Sequence, residues 1–348
     1  MRTIDWWDDA VRIIDQTRLP EAEVLIDVRD VDELVVHIRS LAVRGAMALG
    51  VAGALGMALA ATNAERDGGD VDQAIEVAAR KLIAARPTAV NLEYGVRAVQ
   101  RARHEGADGT GVLAAALAVR DEDIRANLAI GDSGASFLDG ARRILTHCNA
   151  GALAGVEGGT ALGVIARLHY RDPLQMVYVC ETRPLLQGSR LTAWELARAG
   201  IPHRVIVDSA AAGLVLAGEV DAVVVGADRI AANGDVANKV GTVGHALAAK
   251  HAGIPFLVAA PESTIDVRTP TGAHIEIELR SEAEVLSVGG VRIAPPTSRA
   301  LNPAFDVTPA TLVTAIVTER RLLRTPQTNP PAPPRTPAPA HHRTRSSS

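Results

Sequence analysis

Hydrophobic positions in the first third of the chain recur mostly at helical spacing. Val31 to Val43, a glycine-rich run from Ala46 to Ala61, Val71 to Ala85 and Leu92 to His104 predict helices, and strand signals there are few. The pattern changes at about residue 140. Short β-branched runs follow at Arg143–His147, Gln175–Cys180, Arg204–Asp208, Ala222–Gly226 and Ile254–Ala259. Roughly 20 to 35 residues of Ala/Leu/Gly-rich helical sequence separate them, the signature of a parallel α/β sheet. The chain therefore reads as α/β, with a mainly helical N-terminal domain over 1–128 and a parallel-sheet domain over 129–324. The boundary falls inside a helix linking the two. Beyond Arg324 the sequence becomes proline-rich, holding seven of the 19 prolines, and predicts a disordered, solvated tail over 325–348.

The Ala46–Ala61 run has 16 residues, short of the roughly 20 that span a bilayer, so it predicts a buried helix. Gly50, Gly53 and Gly56 would each weaken that helix by about 1 kcal/mol relative to Ala unless another backbone or a ligand approaches closely. The 348 residues suit two domains, and 47% hydrophobic with 22% charged residues is globular composition. A formal charge of −4 and a pI near 6.2 leave no global basic surface, so neither nucleic acid nor an anionic membrane is an expected partner. The acidic N-terminus lacks the apolar run of a secretory signal. Cys148 and Cys180 lie outside any C-x-x-C or Cys/His ligand spacing, which predicts no disulfide framework, no metal and a reducing, cytoplasmic setting.

Ligands of open α/β sheets bind outside the carboxyl ends of the strands, so the residues after each run are the candidates. Cys148-Asn149-Ala150-Gly151 follows the first run, Glu181-Thr182-Arg183-Pro184 the second, Asp208-Ser209 the third and Asp228-Arg229 the fourth. A lone Asp-Ser is more often a helix cap, but four neighbouring polar ends point to chemistry. Cys148, before a small-residue turn and helix, could have its thiolate stabilised by backbone N–H groups and act as base or nucleophile. Burial would make Asp228 the matching proton donor. His147 is an unsuitable partner because consecutive strand residues face opposite ways.

Anion-binding features accompany the pair. Arg44-Gly45-Ala46 opens the glycine-rich helix, where N–H groups, dipole and guanidinium favour phosphate. Arg86-Pro87-Thr88 reads as a second such device with Pro at the first helical position, and Asn238-Lys239 as the start of a later helix. The glycines at 155, 158, 159 and 163 lack G-x-G-x-x-G spacing, so no dinucleotide cofactor is indicated.

These residues resemble the methylthioribose-1-phosphate isomerases of methionine salvage, relatives of the regulatory subunits of translation initiation factor 2B. The likeness runs from Arg2-Thr-Ile-Asp-Trp6 and Ile14-Asp-Gln-Thr-Arg-Leu-Pro20 to Asn302-Pro-Ala-Phe-Asp-Val-Thr-Pro309. Its most specific stretches are Thr146-His-Cys-Asn-Ala-Gly-Ala152, Glu181-Thr-Arg-Pro184, Gln187-Gly-Ser-Arg-Leu-Thr-Ala-Trp194 and Gly226-Ala-Asp-Arg-Ile-Ala-Ala-Asn-Gly-Asp-Val-Ala-Asn-Lys239. The resemblance implies a Rossmann-like second domain, a homodimer, and an active site between domains. It implies Cys148 and Asp228 as the catalytic pair, with Arg44, Gly45, Ala46, Arg86, Gln187, Asn238 and Lys239 holding a sugar phosphate, without metal or cofactor. Met47, Gly158, Ala210, Gly213 and Val243 depart from the family pattern and bear on pocket shape. The rival readings are an isomerase of 5-deoxyribose 1-phosphate or ribose 1,5-bisphosphate, and a non-enzymatic regulatory subunit. Retention of Cys148 and Asp228 speaks against the last.

Overall fold

The computed structural model describes residues 2–87 and 89–324; the proline-rich stretch 325–348 lies outside them. The chain opens with a three-stranded antiparallel sheet, β1 (Ile4–Trp7), β2 (Ala10–Ile14) and β3 (Leu25–Val28), which the helical reading of this region misses. Two features build it. Asp8 and Asp9 both take positive φ, forming the two-residue turn that suits a tight hairpin, and Trp7 pairs Ala10 across it. Val11 and Ile13 then point together into the core.

Helices α1 (Val31–Arg39), α2 (Ala46–Arg66), α3 (Val71–Ala85), α4 (Val90–His104) and α5 (Gly109–Phe137) complete this half. Asp30 and Asp70 cap α1 and α3, each accepting two backbone N–H groups. Helix α1 stops at Arg39, short of the expected Val43, where Leu41 turns to positive φ. Helix α2 extends past the expected apolar run to Arg66 and is, by length and composition, long and apolar enough to cross a membrane. Its residues from Ala48 to Ala61 are all buried, so that surface is used against protein. The glycines explain how. A Cβ on Gly95 of α4 would stand 1.9 Å from the Gly50 carbonyl oxygen, and one on Gly53 2.7 Å from that of Leu92. The two backbones touch, which offsets the intrinsic cost of glycine in a helix.

Helix α5 has 29 residues and serves both cores: Val112 and Ala116 pack with the first helices, Ile130 and Ala135 with the sheet that follows. That sheet starts with β4 (Arg143–Thr146), then α6 (Ala161–Arg171), β5 (Met176–Cys180), α7 (Ala193–Arg198), β6 (His203–Ile206), α8 (Ala211–Leu216) and β7 (Ala222–Val225). The chain continues through β8 (Arg229–Ala231), β9 (Val236–Lys239), α9 (Thr242–Ala252), β10 (Phe256–Ala259) and β11 (Ile265–Asp266). It ends with α10 (Glu282–Leu286), a hairpin of β12 (Ser287–Val288) and β13 (Val291–Arg292), then β14 (Phe305–Thr308), β15 (Ala315–Val317) and β16 (Leu322–Arg324).

Seven strands form the main sheet in the order β16-β15-β10-β7-β4-β5-β6, parallel except for β16. All five runs expected as strands are in it. The chain moves outward from β4 to β6, then returns to place β7 on the other side of β4. The strand order reverses between β4 and β7, which is where crevices form in such sheets. A smaller sheet, β11-β8-β9-β14, stands beside the end of β7.

Candidate active site

Cys148 leaves β4 with φ of 65°, in the left-handed region that costs a non-glycine residue roughly 1–3 kcal/mol. Two threonines hold it there. Its N–H donates to Thr182 Oγ1 at 2.9 Å, and its carbonyl accepts from Thr192 Oγ1 at 2.6 Å. Thr182 also has positive φ, and Asp208 at the end of β6 steadies it by accepting the N–H groups of Thr182 and Arg183, each at 2.7 Å. The third strand end thus supports the first.

Gln187 Nε2 donates to Cys148 Sγ at 3.3 Å, while its Oε1 is buried without a partner. The amide opens a π-helical turn, Gly188–Thr192, whose first residue must be glycine: a Cβ there would lie 1.8 Å from the Cys180 carbonyl oxygen. The expected helix N-terminus just after Cys148 is absent. Helix α6 begins only at Ala161, and the nearer N–H groups serve another anion. Glu195 on α7 accepts from Ala152 N–H at 2.6 Å, Leu153 N–H at 3.4 Å and Asn149 Nδ2 at 2.8 Å. Enclosure pushes its carboxyl up to about 7. The donor on the sulfur is therefore a side-chain amide, not a helix end.

Asp228 follows β7 and faces the crevice, in contact with solvent and ringed by protein. Desolvation by those walls raises its carboxyl above the ordinary carboxylate range, opposed by the positive charges of Lys239, Arg44 and Arg86. Its loop and that of Cys148 run side by side, since a Cβ on Gly226 would meet the Ala150 Cβ at 2.9 Å.

Helix α2 points its N-terminus at the same loop. Gly45 caps it at φ 96°, and a Cβ there would stand 2.4 Å from Ala154 Cα. Arg44 Nη1 is buried without a hydrogen-bond partner. Arg86 is half-buried and makes no side-chain hydrogen bond or ion pair with the described residues; burial lowers its pKa, and Glu278 raises it. The Arg44-Gly45-Ala46 arrangement is as expected, whereas Arg86 differs. It caps the C-terminus of α3, and α4 begins three residues after Pro87, at Val90, because Arg86 is extended and Ala89 forms the cap. Asn238 and Lys239 also differ: both lie on β9, with α9 starting at Thr242. Asn238 Nδ2 donates to Thr242 Oγ1 at 3.0 Å, and Lys239 Nζ donates to the Ala304 carbonyl at 2.7 Å over the Phe305 ring.

His147 turns away from Cys148, its Nε2 2.9 Å from the Val240 carbonyl. Thr182 lies in a strand-end stretch that the sequence singles out, but its role as a backbone anchor does not show there; Thr192, Glu195 and Glu278 are not singled out as site residues, since each acts through backbone or charge. The assembly offers an amide-bonded thiol, a solvent-accessible carboxyl raised by desolvation and two guanidinium groups with no carboxylate hydrogen-bond partner among the described residues. Such an arrangement is chemically suited to binding an anion and moving protons beside it.

Residues 42–325 match the Initiation factor 2 subunit family. A methylthioribose-1-phosphate isomerase of Anaeromyxobacter sp. (strain Fw109-5) is 50% identical over 319 residues, covering 91% of this chain and 92% of that protein. A 5-deoxyribose 1-phosphate isomerase of Moorella thermoacetica is 49% identical, over 93% and 94%. Among solved structures, 5-methylthioribose 1-phosphate isomerase from Pyrococcus horikoshii is similar at TM-score 0.85 and 41% identity, over 93% of this chain and 92% of that one. The translation initiation factor eIF-2B subunit delta from A. fulgidus is similar at TM-score 0.85 and 43% identity, over 94% and 96%.

Proposed function

The chain belongs to the initiation factor 2 subunit family, and within it we propose an aldose–ketose isomerase that converts 5-methylthioribose 1-phosphate to 5-methylthioribulose 1-phosphate in methionine salvage. The relatives' shared reaction and this site's chemistry agree. The observation that carries the reading is the unpartnered pair Arg44 and Arg86 acting electrostatically on Asp228, whose loop adjoins that of Cys148. A phosphate between those cations places the sugar against acid and thiol together.

The substrate's anomeric oxygen carries the phosphate, so the ring cannot open to a free aldehyde. Asp228, whose carboxyl is raised above the ordinary range by desolvation, gives its proton to the ring oxygen, and the bond between C1 and that ring oxygen breaks. The hydrogen on C2 reaches C1 while the C2 hydroxyl becomes a carbonyl. Cys148 takes up the proton released at C2 or its hydroxyl, held in place by the hydrogen bond from Gln187 Nε2 to its sulfur. C2 is oxidised and C1 reduced by the same two electrons, so the reaction balances without a redox cofactor. Arg44, Arg86 and the N–H groups at Gly45 and Ala46 hold phosphate; Asn238 and Lys239 line the acid's side.

The Moorella relative gives a second reading, 5-deoxyribose 1-phosphate. The two sugars differ by S–CH₃, whose burial in an apolar pocket is worth about 1–3 kcal/mol, or roughly 10- to 200-fold in kcat/KM. Purified protein offered both sugars and ribose 1,5-bisphosphate, with ketose formation followed, is expected to prefer the methylthio sugar. A preference for the bisphosphate or no turnover of any would overturn the assignment.

We also assign the helical domain to 1–128 and the catalytic domain to 129–324, and the setting to the cytoplasm. The assembly is assigned as a homodimer, supported by exposed Val205 and Val207 at the unpaired edge of β6 and by Leu216 and Leu247 on α8 and α9. Light scattering on the purified protein tests the dimer.

A further inference from the structure

Behind the catalytic loop lie three side chains that the proposed reaction does not use. His147 at the end of β4, Cys180 at the end of β5 and His245 on α9 are all buried, and their donor atoms lie within 4.8 Å of one another. They are far apart in sequence, so no ligand spacing announces them. We infer that this cluster is a site for a soft divalent cation, with Zn²⁺ as the fitting ion.

The geometry supports the donor set. Zinc with Zn–S of about 2.3 Å and Zn–N of about 2.0 Å in a tetrahedron keeps sulfur and nitrogen roughly 3.5 Å apart, and Cys180 Sγ stands 3.6 Å from His245 Nε2. The ring of His147 packs edge-on against that of His245, centroids 4.7 Å apart. His147 Nε2 sits 2.9 Å from the Val240 carbonyl, which can only accept, so this nitrogen carries the hydrogen and Nδ1 keeps its lone pair. A backbone carbonyl fixing the far nitrogen of an imidazole is the usual outer support of a histidine ligand. Asp208 Oδ1 lies 3.8 Å from His147 Nδ1, outside the three-residue cluster and engaged with backbone N–H groups, so solvent would complete the tetrahedron. On binding, the Cys180 thiol gives its proton to solvent and sulfur coordinates as thiolate. A cation there would fasten the ends of β4 and β5 to α9 directly behind Cys148.

The test uses the full chain, stripped with chelator and then exposed to ZnCl₂ or CoCl₂ before dialysis. About one ion per chain is expected by mass spectrometry of the metal, and the cobalt form should show a thiolate-to-metal charge-transfer band with tetrahedral visible absorption. Cys180→Ser should abolish the band and Cys148→Ser should keep it, which separates the buried cluster from capture at the active-site thiol. His245→Leu should lower zinc affinity at least tenfold while leaving isomerase activity within about twofold, which also shows that this variant folds. Zinc should raise the thermal midpoint of the parent and not that of His245→Leu. Retention of less than about a tenth of an ion per chain, or a cobalt band that survives Cys180→Ser and vanishes in Cys148→Ser, would overturn the site. The metal count, the cobalt band and the thermal midpoint do not depend on the substrate assignment.

Discussion

Replacing Arg44 with Ala separates a substrate-binding cation from a structural one. The guanidinium forms no hydrogen bond in the free protein, and its Nη1 is buried without a partner. A charged hydrogen bond to phosphate contributes about 1.5–3 kcal/mol, so KM for the sugar phosphate should rise roughly 10- to 150-fold. Inorganic phosphate should inhibit correspondingly less. Among the described residues no ion pair breaks in the free protein, and the longer-range attraction to Glu195 and Asp228 that is lost is set against repulsion that is relieved. Arg44 instead depresses the pKa of Arg86 and Arg190 by like-charge proximity, so its removal relieves repulsion and the thermal midpoint should hold or rise. It also pulls the Asp228 carboxyl down; without it Asp228 stays protonated to higher pH, and the alkaline fall of kcat should shift upward. Steady-state kinetics across pH, phosphate inhibition and a thermal melt read out the three effects. Unchanged KM and phosphate inhibition, or a midpoint lowered by several degrees, would refute the anion-site reasoning.

Cys148→Ala and Asp228→Asn should each lower kcat by about 10²-fold or more, the scale of general acid–base contributions, with substrate affinity little changed by calorimetry. Glu195 has a folded pKa of about 7 against an ordinary 4.5. Its raised value stabilises the fold fully below about pH 4.5 and loses that contribution, roughly 3 kcal/mol, as pH rises through 7. Denaturant titrations of Glu195→Gln should therefore show a flatter stability profile across that window; an unaltered slope would place the titration elsewhere. Gly95→Ala should destabilise by about 1–3 kcal/mol or more, because its methyl would fall 1.9 Å from the Gly50 carbonyl. Gly213→Ala on α8, with nothing within 4 Å, should be neutral or stabilising by up to about 1 kcal/mol in the same melts.

Periodicity exposed most of the fold. The parallel strands were legible because both faces of each are covered, which writes them as continuous β-branched runs such as Ala222–Val225, wholly buried. The strands β1 to β3 were not, since four- or five-residue segments joined by an Asp8-Asp9 turn carry too few alternations to outweigh the helices around them. Likewise β9 and β14 pair across 65 and more residues of chain, and nothing local distinguishes Asn238-Lys239 on a strand from the same pair opening a helix. The Arg86-Pro87 misreading has a similar source: proline at a helix start and proline just past a helix end look alike until the capping residue is known.

Within the candidate site, reactive side chains are readable from the sequence and the contacts that hold them are not, and the reason is physical. A thiol, a carboxyl or a guanidinium has a chemistry that strand-end placement makes suspicious. Thr182 and Thr192 contribute only a hydroxyl to the backbone of Cys148, a role any threonine can fill, and their partner is set by the packing of three strands. Glu195 shows the limit most clearly. Its carboxylate takes the Ala152 and Leu153 N–H groups in the small-residue turn after Cys148. The sulfur is left to Gln187, so the group that hydrogen-bonds it comes from the loop after β5 and not from the loop that carries it. Placing a side-chain amide there leaves the Cys148 loop free to be fixed by anion and hydroxyl contacts alone, which is how a residue with left-handed φ keeps a single geometry at the point where the sheet order reverses.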